Sequence, residues 1–249
     1  MTISNETELV LLREIGRIVA NTLQAMGAAI EPGITTGELD RIGRRLLEAE
    51  GARSGPELVY GFPGATCISV NEEIAHGIPG ERRIMKGDLV NIDVSAEKDG
   101  VFADTGASFA VPPATKSVER LCRDGRRALW TGIRQVGVDR PLGGIGMAIG
   151  AFARKNGYTL VQNLASHGVG RSLHEEPSEI ATWPDPSERR VIGDGLVFTI
   201  EPFLSLGGTF AGTGDDEWTL LSEPSAPTVQ YEHTVVATRS GPLVVTLPG

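Results

Sequence analysis

Acidic residues interrupt several segments of this sequence that otherwise have the apolar content of β-strands. Asp and Glu are rarely buried in strands unless they are paired or bind a metal ion. Any one of these acids could instead lie on a solvated sheet face or at a strand edge, but four of them together favour a shared site. They are Asp93 in VNIDVS, Asp104 in VFADTG, Glu201 in FTIEPF and Glu232 in VQYEHTVV.

Three of the four histidines lie in short motifs that could contribute to the same site. His76 ends the segment EEIAH, and His167 and His174 lie seven residues apart in SHGVGRSLHEEP. This interval differs from the four-residue interval of a His-Glu-x-x-His helix, so non-helical backbone must bring the two rings together. An imidazole can ligate a metal, donate a proton to a leaving group or hydrogen-bond a carbonyl oxygen. His233 directly follows Glu232 and must point to the other strand face, so we interpret it as structural.

Two aspartates, two glutamates and one histidine form an oxygen-rich set of potential ligands. Structural zinc sites prefer thiolate and imidazole, whereas carboxylates with one imidazole suit Mn(II), Fe(II) or Co(II), or two ions that share carboxylates. Four clustered carboxylates repel one another, and two divalent cations balance their charge where a single cation does not. The sequence therefore predicts a dinuclear metal site formed by Asp93, Asp104, His167, Glu201 and Glu232.

The hydrophobic pattern predicts the helices and strands that must position these residues. Thr35 and Glu38 have the spacing of a capping box, and the segment SGPELVYGFPGAT is predicted to be a loop. Predicted helices cover residues 9–26, 36–50, 115–137 and 145–156. Predicted strands cover residues 67–78, 88–97, 100–111, 195–204 and 229–238, with a last strand at LVVTL.

An internal echo predicts two related halves within one domain. The segments LVNID (89–93) and VFTIE (197–201) share a pattern of apolar residues ending in Ile and an acid. Each follows a His-Gly pair, and two predicted helices precede each block. We therefore predict a single domain over residues 1–249, with pseudo-repeats at approximately 7–111 and 115–245 that are related by a pseudo-twofold axis.

Composition excludes several classes of function. A net charge of −9 disfavours binding to nucleic acid, and the chain has no apolar run long enough to span a membrane and no signal-peptide pattern. Two distant cysteines suggest no disulfide framework, which predicts a reducing, cytoplasmic location. The chain also lacks the Gly-x-Ser-x-Gly elbow of serine hydrolases and a P-loop.

Five co-ordered motifs make the chain resemble the methionine aminopeptidase family in its short, bacterial-style type I form. They are VNEEIAHGIP, NIDVSAEKDGVFADTG, SHGVGRSLHEEP, FTIEP and QYEHT, and the similarity covers nearly the whole chain. The resemblance implies the α/β pita-bread fold, with antiparallel strands around a central dimetal site. It also implies removal of the initiator methionine from nascent chains, preferentially before a small second residue, through attack by a metal-bridging hydroxide.

The resemblance also implies roles for individual residues. Asp104 and Glu232 are the bridging ligands, Glu201 is also a general base, and His76 and His174 contact the substrate and assist proton transfer. Phe62, Cys67 and Trp218 have the character expected of the methionine pocket. The chain departs from the family around this pocket, where it has Leu173 before HEEP, Ala75 before His76, and Val59 and Tyr60 before GFP.

The resemblance leaves the metal undecided among Co, Mn, Fe and Zn. The expected partners are the N-terminal Met peptides of nascent chains, with a transient ribosome contact, and the chain is expected to be monomeric. Two other interpretations stay open. One is an X-Pro dipeptidase or aminopeptidase, whose known members usually carry an additional N-terminal domain. The other is a non-catalytic binding protein on the same scaffold, although such relatives tend to lose ligands that this chain keeps.

Overall fold

The computed structural model describes residues 1–249 and contains five helices and fifteen short strands. The helices are α1 (Glu6–Ala28), α2 (Thr36–Ala49), α3 (Gly55–Tyr60), α4 (Lys116–Ile133) and α5 (Gly143–Asn156). The strands of the N-terminal half are β1 (Arg53–Ser54), β2 (Cys67–Val70), β3 (Glu73–Ala75), β4 (Leu89–Lys98) and β5 (Val101–Ala110). The C-terminal half begins with β6 (Thr159–Leu160), β7 (Ser166–Gly168), β8 (Glu175–Ile180), β9 (Val197–Ile200) and β10 (Phe203–Ser205). It ends with β11 (Phe210–Thr213), β12 (Leu220–Glu223), β13 (Thr228–Gln230), β14 (His233–Thr238) and β15 (Gly241–Val244).

Local capping chemistry explains where the helices begin and end. The predicted capping box is present, because the Thr35 side chain accepts from the Glu38 backbone and the Glu38 carboxylate accepts from the Thr35 backbone. The predicted loop contains a helix, α3, that the sequence analysis missed. Its first turn holds Pro56, and it ends at Gly61 in the left-handed conformation with φ 67°. Proline at the start and glycine at the end mark a short helix here, as they do for longer ones.

The first half packs α1 and α2 against a sheet that consists of β1, β2, β4 and β5. The hairpin of β4 and β5 turns at Asp99 and Gly100, both with positive φ. The turn is two residues long, as predicted, but lies one residue later in the chain. Even-numbered residues of β4 such as Ile92 join Leu12 and Ile15 of α1 in a core that excludes solvent. Odd-numbered residues of β4 consequently face the second half of the chain.

The second half packs α4 and α5 against a five-stranded sheet with the order β15, β14, β9, β7, β8. Leu129 of α4, Ile149 of α5, Phe198 of β9 and Val235 of β14 form a second core. Two small three-stranded sheets complete the fold, and one of them pairs β3 of the first half with β12 of the second.

A buried polar network joins the two halves. The Ser108 hydroxyl of β5 donates to the Gln230 carbonyl at 3.0 Å and accepts from the Gln230 backbone N–H at 3.0 Å. Asn91 of β4 donates to the Gln230 side-chain oxygen at 2.8 Å. Next to this network, Gly106 of β5 and Glu232 exchange two backbone hydrogen bonds. The backbone of β5 is thus paired directly with the backbone of the second half. The odd-numbered face of β4 is therefore covered by the second half of the chain.

No helix of the structure combines the length and the apolar character that crossing a membrane requires.

Replacement of Ser108 by alanine is expected to destabilise the junction of the two halves. The change removes three buried hydrogen bonds and leaves the Gln230 backbone N–H without a partner, at a cost of about 1–3 kcal/mol. Urea denaturation followed by circular dichroism measures this loss. The exposed Ser117→Ala is the matched control and should change stability by less than about 0.5 kcal/mol. Equal stability of Ser108→Ala and wild type would contradict the assignment of this network as a structural junction.

Candidate metal centre and adjoining pocket

Strand register brings the two aspartates to the same face of the first sheet. Asp93 of β4 lies opposite Gly106 of β5, and Asp104 of β5 lies opposite Ser95 of β4. The two carboxylates are therefore diagonal neighbours in the hairpin and not a directly opposed pair. Both are on the sheet face formed by the odd-numbered residues of β4, which looks into the second half.

The two glutamates enter the site from the neighbouring ends of two strands. Ile200 of β9 pairs with His233 of β14, and Glu201 and Glu232 are the next residues outward from that pair. Both glutamates consequently lie one position outside the strands in which they were predicted. Glu232 is held there because its backbone pairs with Gly106, and its side chain is almost completely buried.

His167 of β7 presents one defined ring nitrogen to the carboxylates. Its Nδ1 lies 3.0 Å from the carbonyl oxygen of Gly168, which can only accept, so Nδ1 carries the proton. Nε2 then has a free lone pair. It lies 3.5 Å from Glu201 Oε1 and 4.0 Å from Asp104 Oδ2. A neutral histidine with a free Nε2 is the form that binds metal ions.

The protein surroundings disfavour the charged forms of these groups. Burial, followed by the charges of Asp104 and Glu201, raises the pKa of Asp93 well above its usual value. Burial raises the pKa of Asp104 to about 6 and, with the charge of Asp104, the pKa of Glu201 and Glu232 well above their usual values. Burial and the neighbouring His174 lower the pKa of His167 to about 3. In the metal-free protein the four carboxyl groups therefore have a strong affinity for protons or other positive charge.

The side chains present fit a divalent metal. Ligand atoms of Asp104, His167 and Glu232 all lie within 4.8 Å of one another. Asp104 Oδ1 and Glu232 Oε1 are buried and have no hydrogen-bond partner in the protein, which is costly unless a cation binds them. The donor set of carboxylate oxygens with one imidazole nitrogen suits Mn(II), Fe(II) or Co(II).

Gln230 is part of this centre, although the sequence analysis missed it. Asn91 can only donate from its Nδ2, so the Gln230 oxygen faces Asn91 and the Gln230 Nε2 faces the acids. From there it donates to Glu232 Oε2 at 2.9 Å and to Asp93 Oδ2 at 3.4 Å. The period of two along a strand could have identified it, because Gln230 lies two residues before Glu232 on the same face.

Thr199 is a second residue that the sequence analysis did not name. Its hydroxyl donates to Glu201 Oε1 at 3.0 Å and accepts from the His167 backbone N–H at 3.1 Å. Ser166 accepts from the Glu201 backbone at 2.9 Å. Such hydrogen bonds fix the orientation of side chains that ligate metals.

A cavity of about 250 Å³ adjoins the carboxylates. Its apolar wall includes Phe62, which meets Trp218 edge-to-face with ring centroids 5.3 Å apart, and the buried thiol of Cys67. Burial and the charge of Asp93 raise the pKa of this thiol, so it is neutral at physiological pH. The cavity is lined by every residue predicted to belong to the site, namely Asp93, Asp104, His167, Glu201, Glu232, His76, His174, Phe62, Cys67 and Trp218.

His76 and His174 line the cavity next to the carboxylates and His167. The rings of His167 and His174 lie 3.9 Å apart, and burial lowers the pKa of both His76 and His174. His76 has a left-handed backbone with φ 53°, a conformation that costs energy for a residue other than glycine. By contrast, His233 is not among the lining residues and faces Thr246 at 3.0 Å, in agreement with its structural interpretation.

The glycine of each His-Gly pair has a steric explanation. A Cβ on Gly77 would lie 2.3 Å from the Ile68 carbonyl oxygen, and a Cβ on Gly168 would lie 2.5 Å from the Glu176 carbonyl oxygen. In both pairs the histidine is therefore held where the chain runs tightly against a neighbouring strand.

Known proteins resemble this chain over almost its whole length. A family model described as metallopeptidase family M24 matches residues 10–239. A methionine aminopeptidase of Staphylococcus epidermidis is 44% identical over 247 residues, which cover 99% of this chain and 98% of that protein.

Solved structures with the same fold include both similar and distant proteins. The crystal structure of methionine aminopeptidase from Rickettsia prowazekii superposes with a TM-score of 0.94 at 31% identity and covers 99% of this chain and 100% of that one. A prolidase from Pyrococcus furiosus superposes with a TM-score of 0.79 at 20% identity, and the match covers 66% of that chain. The second likeness concerns the fold alone.

Chelation of divalent metal is expected to destabilise the protein more at pH 7.5 than at pH 5.0. At metal concentrations about 100 times Kd, binding stabilises by about 2.7 kcal/mol, or about 5–10 °C in Tm for a chain of this size. In the metal-free folded state the carboxyl groups with raised pKa hold protons at pH 5.0, and these protons neutralise the cluster in place of a metal, whereas the lowered pKa of His167 acts in the opposite direction on stability. Lower pH also protonates the ligands and weakens metal binding.

Differential scanning fluorimetry with EDTA and with added Mn(II), at both pH values, measures this difference. We expect the metal-induced rise in Tm at pH 5.0 to be less than half of that at pH 7.5. The exposed-acid variant Glu72→Gln is the control and should behave as wild type. An equal rise at both pH values would be inconsistent with binding by these carboxylates.

Replacement of Gln230 by alanine is expected to weaken metal binding by about 10–100-fold, because Asp93 and Glu232 lose the donor that orients them. Isothermal titration of chelated protein with Mn(II) measures the Kd. Gln135→Ala, in which the lost amide contacts only the backbone of α4, is the matched control. Unchanged affinity in Gln230→Ala would show that the carboxamide does not support the centre.

Proposed function

The chain belongs to metallopeptidase family M24, and from this premise we propose that it removes the initiator methionine from newly made protein chains by metal-dependent hydrolysis. Its α/β pita-bread fold, predicted from sequence, is that of the methionine aminopeptidase structures it resembles. The observation that carries the proposal is a single cavity in which a carboxylate–imidazole cluster adjoins an aromatic, thiol-lined pocket. The nearly full-length similarity to a methionine aminopeptidase supports the same substrate.

We propose that Asp93, Asp104, His167, Glu201 and Glu232 hold two divalent ions. Asp104 and Glu232 would be the ligands shared by the two ions, as the family resemblance implies, and each has one buried oxygen without a partner in the protein. The raised pKa values show that burial disfavours the charged forms of these four groups. Two divalent ions would balance the four carboxylate charges and allow all four groups to be charged. When bound, the ions activate a water molecule and stabilise negative charge on the carbonyl oxygen. The ligand chemistry is compatible with Co, Mn, Fe or Zn.

The apolar wall of the cavity accounts for a preference for methionine. Aromatic rings make favourable contacts with a thioether, and Phe62 and Trp218 supply two rings at right angles. The neutral Cys67 adds a small, polarizable surface at the same wall. The substrate's amino group would then lie at the carboxylate end of the cavity, near the bound ions.

The remaining polar residues of the cavity act on the peptide bond. Glu201 accepts a proton from the attacking water, because its carboxyl group is deprotonated when it serves as a metal ligand. Burial lowers the pKa of His76 and His174, so both imidazoles are neutral near pH 7. They can donate a hydrogen bond to the carbonyl oxygen or assist the transfer to the leaving amine of the proton that Glu201 accepts. The left-handed backbone of His76 holds its ring at the cavity despite the conformational cost.

The proposed partners are N-terminal Met peptides with a small second residue, presented on nascent chains during a transient ribosome contact. A cytoplasmic setting and a monomeric state complete the proposal. Both cysteines are free, as a reducing compartment requires.

Assays of Met-Ala-Ser against Leu-Ala-Ser with metal-reconstituted protein test the methionine preference. We expect kcat/KM for the Met peptide to be at least about 10-fold higher, because a shaped apolar pocket separates side chains of similar size by about 10–200-fold. Phe62→Ala should reduce this ratio, because it removes one of the two rings. Equal turnover of the two peptides would refute the methionine preference, and preferential cleavage of Xaa-Pro peptides would favour an X-Pro peptidase instead.

A further inference from the structure

Tyr60 makes a hydrogen bond to a histidine of the cavity that none of the roles above explains. Its phenolic oxygen lies 2.7 Å from Nδ1 of His174, and the two rings meet edge-to-face with centroids 5.6 Å apart. This is the only hydrogen bond that the His174 side chain makes within the protein. Tyr60 belongs to the segment ELVYGFP and also lines the cavity.

The position of Tyr60 is determined by the short helix α3. Ser54 caps the helix by accepting from the Glu57 backbone, and Gly61 ends it directly after Tyr60. Arg44 of α2 binds the Glu57 carboxylate through two hydrogen bonds of 2.6 and 3.0 Å, which ties α3 to the first half of the fold. The phenol is therefore presented to His174 by a supported element, although its ring is about half exposed.

The partner of Nδ1 decides which tautomer of a neutral imidazole is present. For His167 the partner is a carbonyl oxygen, so the proton lies on Nδ1 and Nε2 is free. For His174 the partner is a hydroxyl, which can donate to an unprotonated Nδ1. In that case the proton of His174 lies on Nε2. The two stacked imidazoles would then have opposite tautomers, one suited to bind a metal and the other suited to donate a hydrogen bond.

We propose that Tyr60 is a positioning residue for the reaction: its hydroxyl donates to His174 Nδ1 and keeps the ring in the tautomer whose Nε2–H donates to the substrate's carbonyl oxygen. This inference rests on the proposed function for the identity of the reaction. The tautomer itself does not, because it is a property of the protein alone. Tyr60 acts through His174 and has no separate contact with the reacting atoms.

Kinetics of Tyr60→Phe test the role in the reaction. The variant keeps the ring and its edge contact with His174 and removes only the hydroxyl. We expect kcat for a Met-Ala-Ser peptide to fall about 10-fold, with KM changed less than about twofold. Removal of an acid–base residue itself typically costs roughly 100-fold or more. The loss in Tyr60→Phe is smaller because His174 stays in place and a water molecule can donate to its Nδ1 in a fraction of the protein molecules. Leu58→Ala, on the same helix but outside the cavity, is the matched control and should retain wild-type kcat.

A double-mutant cycle separates positioning from a merely structural effect. If Tyr60 acts only through His174, the double variant Tyr60→Phe with His174→Gln should be no slower than His174→Gln alone. Independent losses that multiply in the double variant would overturn the proposal.

The tautomer is measured directly by ¹⁵N NMR of zinc-loaded protein with labelled histidine. His174→Gln identifies the His174 signals. We expect a protonated Nε2 and an unprotonated Nδ1 in the wild type, and signals shifted towards a mixture of tautomers in Tyr60→Phe. A protonated Nδ1 in the wild type would mean that the phenol accepts rather than donates, and would overturn the proposal.

Failure of this inference is distinguishable from failure of the proposed function. A wild type that cleaves Met-Ala-Ser while Tyr60→Phe has unchanged kcat and an unchanged NMR spectrum refutes only the role of Tyr60. A wild type that does not cleave Met peptides refutes the proposed function, and the NMR measurement still decides the tautomer.

Discussion

The mutual repulsion of four buried carboxylates is the constraint on which the rest of the structure depends. Asp93, Asp104, Glu201 and Glu232 are brought together by both halves of the chain, where burial and one another's charge raise their pKa values. Such a cluster is tolerated in a folded protein only if protons or cations neutralise it. Asp104 and Glu232 each have one buried oxygen without a partner in the protein, which a cation would satisfy. The affinity of the cluster for positive charge is thus a property of the fold.

Hydrogen bonds at the junction of the halves hold this unfavourable cluster in place. Ser108 and Asn91 of the first half orient Gln230 of the second, and Gln230 in turn donates to one carboxylate from each half. The network is buried and its donors and acceptors are complementary, which is the condition under which buried polar groups rigidify a site. The same residues therefore contribute to stability and to the alignment of the ligands.

Hydrogen-bond partners also distinguish the two neighbouring imidazoles of the cavity. His167 and His174 are stacked, yet one has a carbonyl oxygen and the other a phenol at Nδ1. The chemical difference between these two partners is sufficient to assign different tasks to two neighbouring rings. The short helix α3 supplies the phenol, so the support of His174 comes from the first half of the chain.

The sequence by itself determined the helices α1, α2, α4 and α5, the capping box at Thr35, the strands around the acids and the identity of the ligand candidates. These features depend on local periodicity, capping chemistry and unusual residue types, all of which are visible in short windows. Only the tertiary structure decided the diagonal placement of Asp93 and Asp104, the entry of Glu201 and Glu232 from strand ends, and the contributions of Gln230 and Thr199. It also revealed α3 and the contact of Tyr60 with His174, which lies 114 residues away.

The prediction of pseudo-repeats at 7–111 and 115–245 stays a prediction. Register and contacts between distant segments arise from packing of the two halves against each other, and no local pattern encodes that packing.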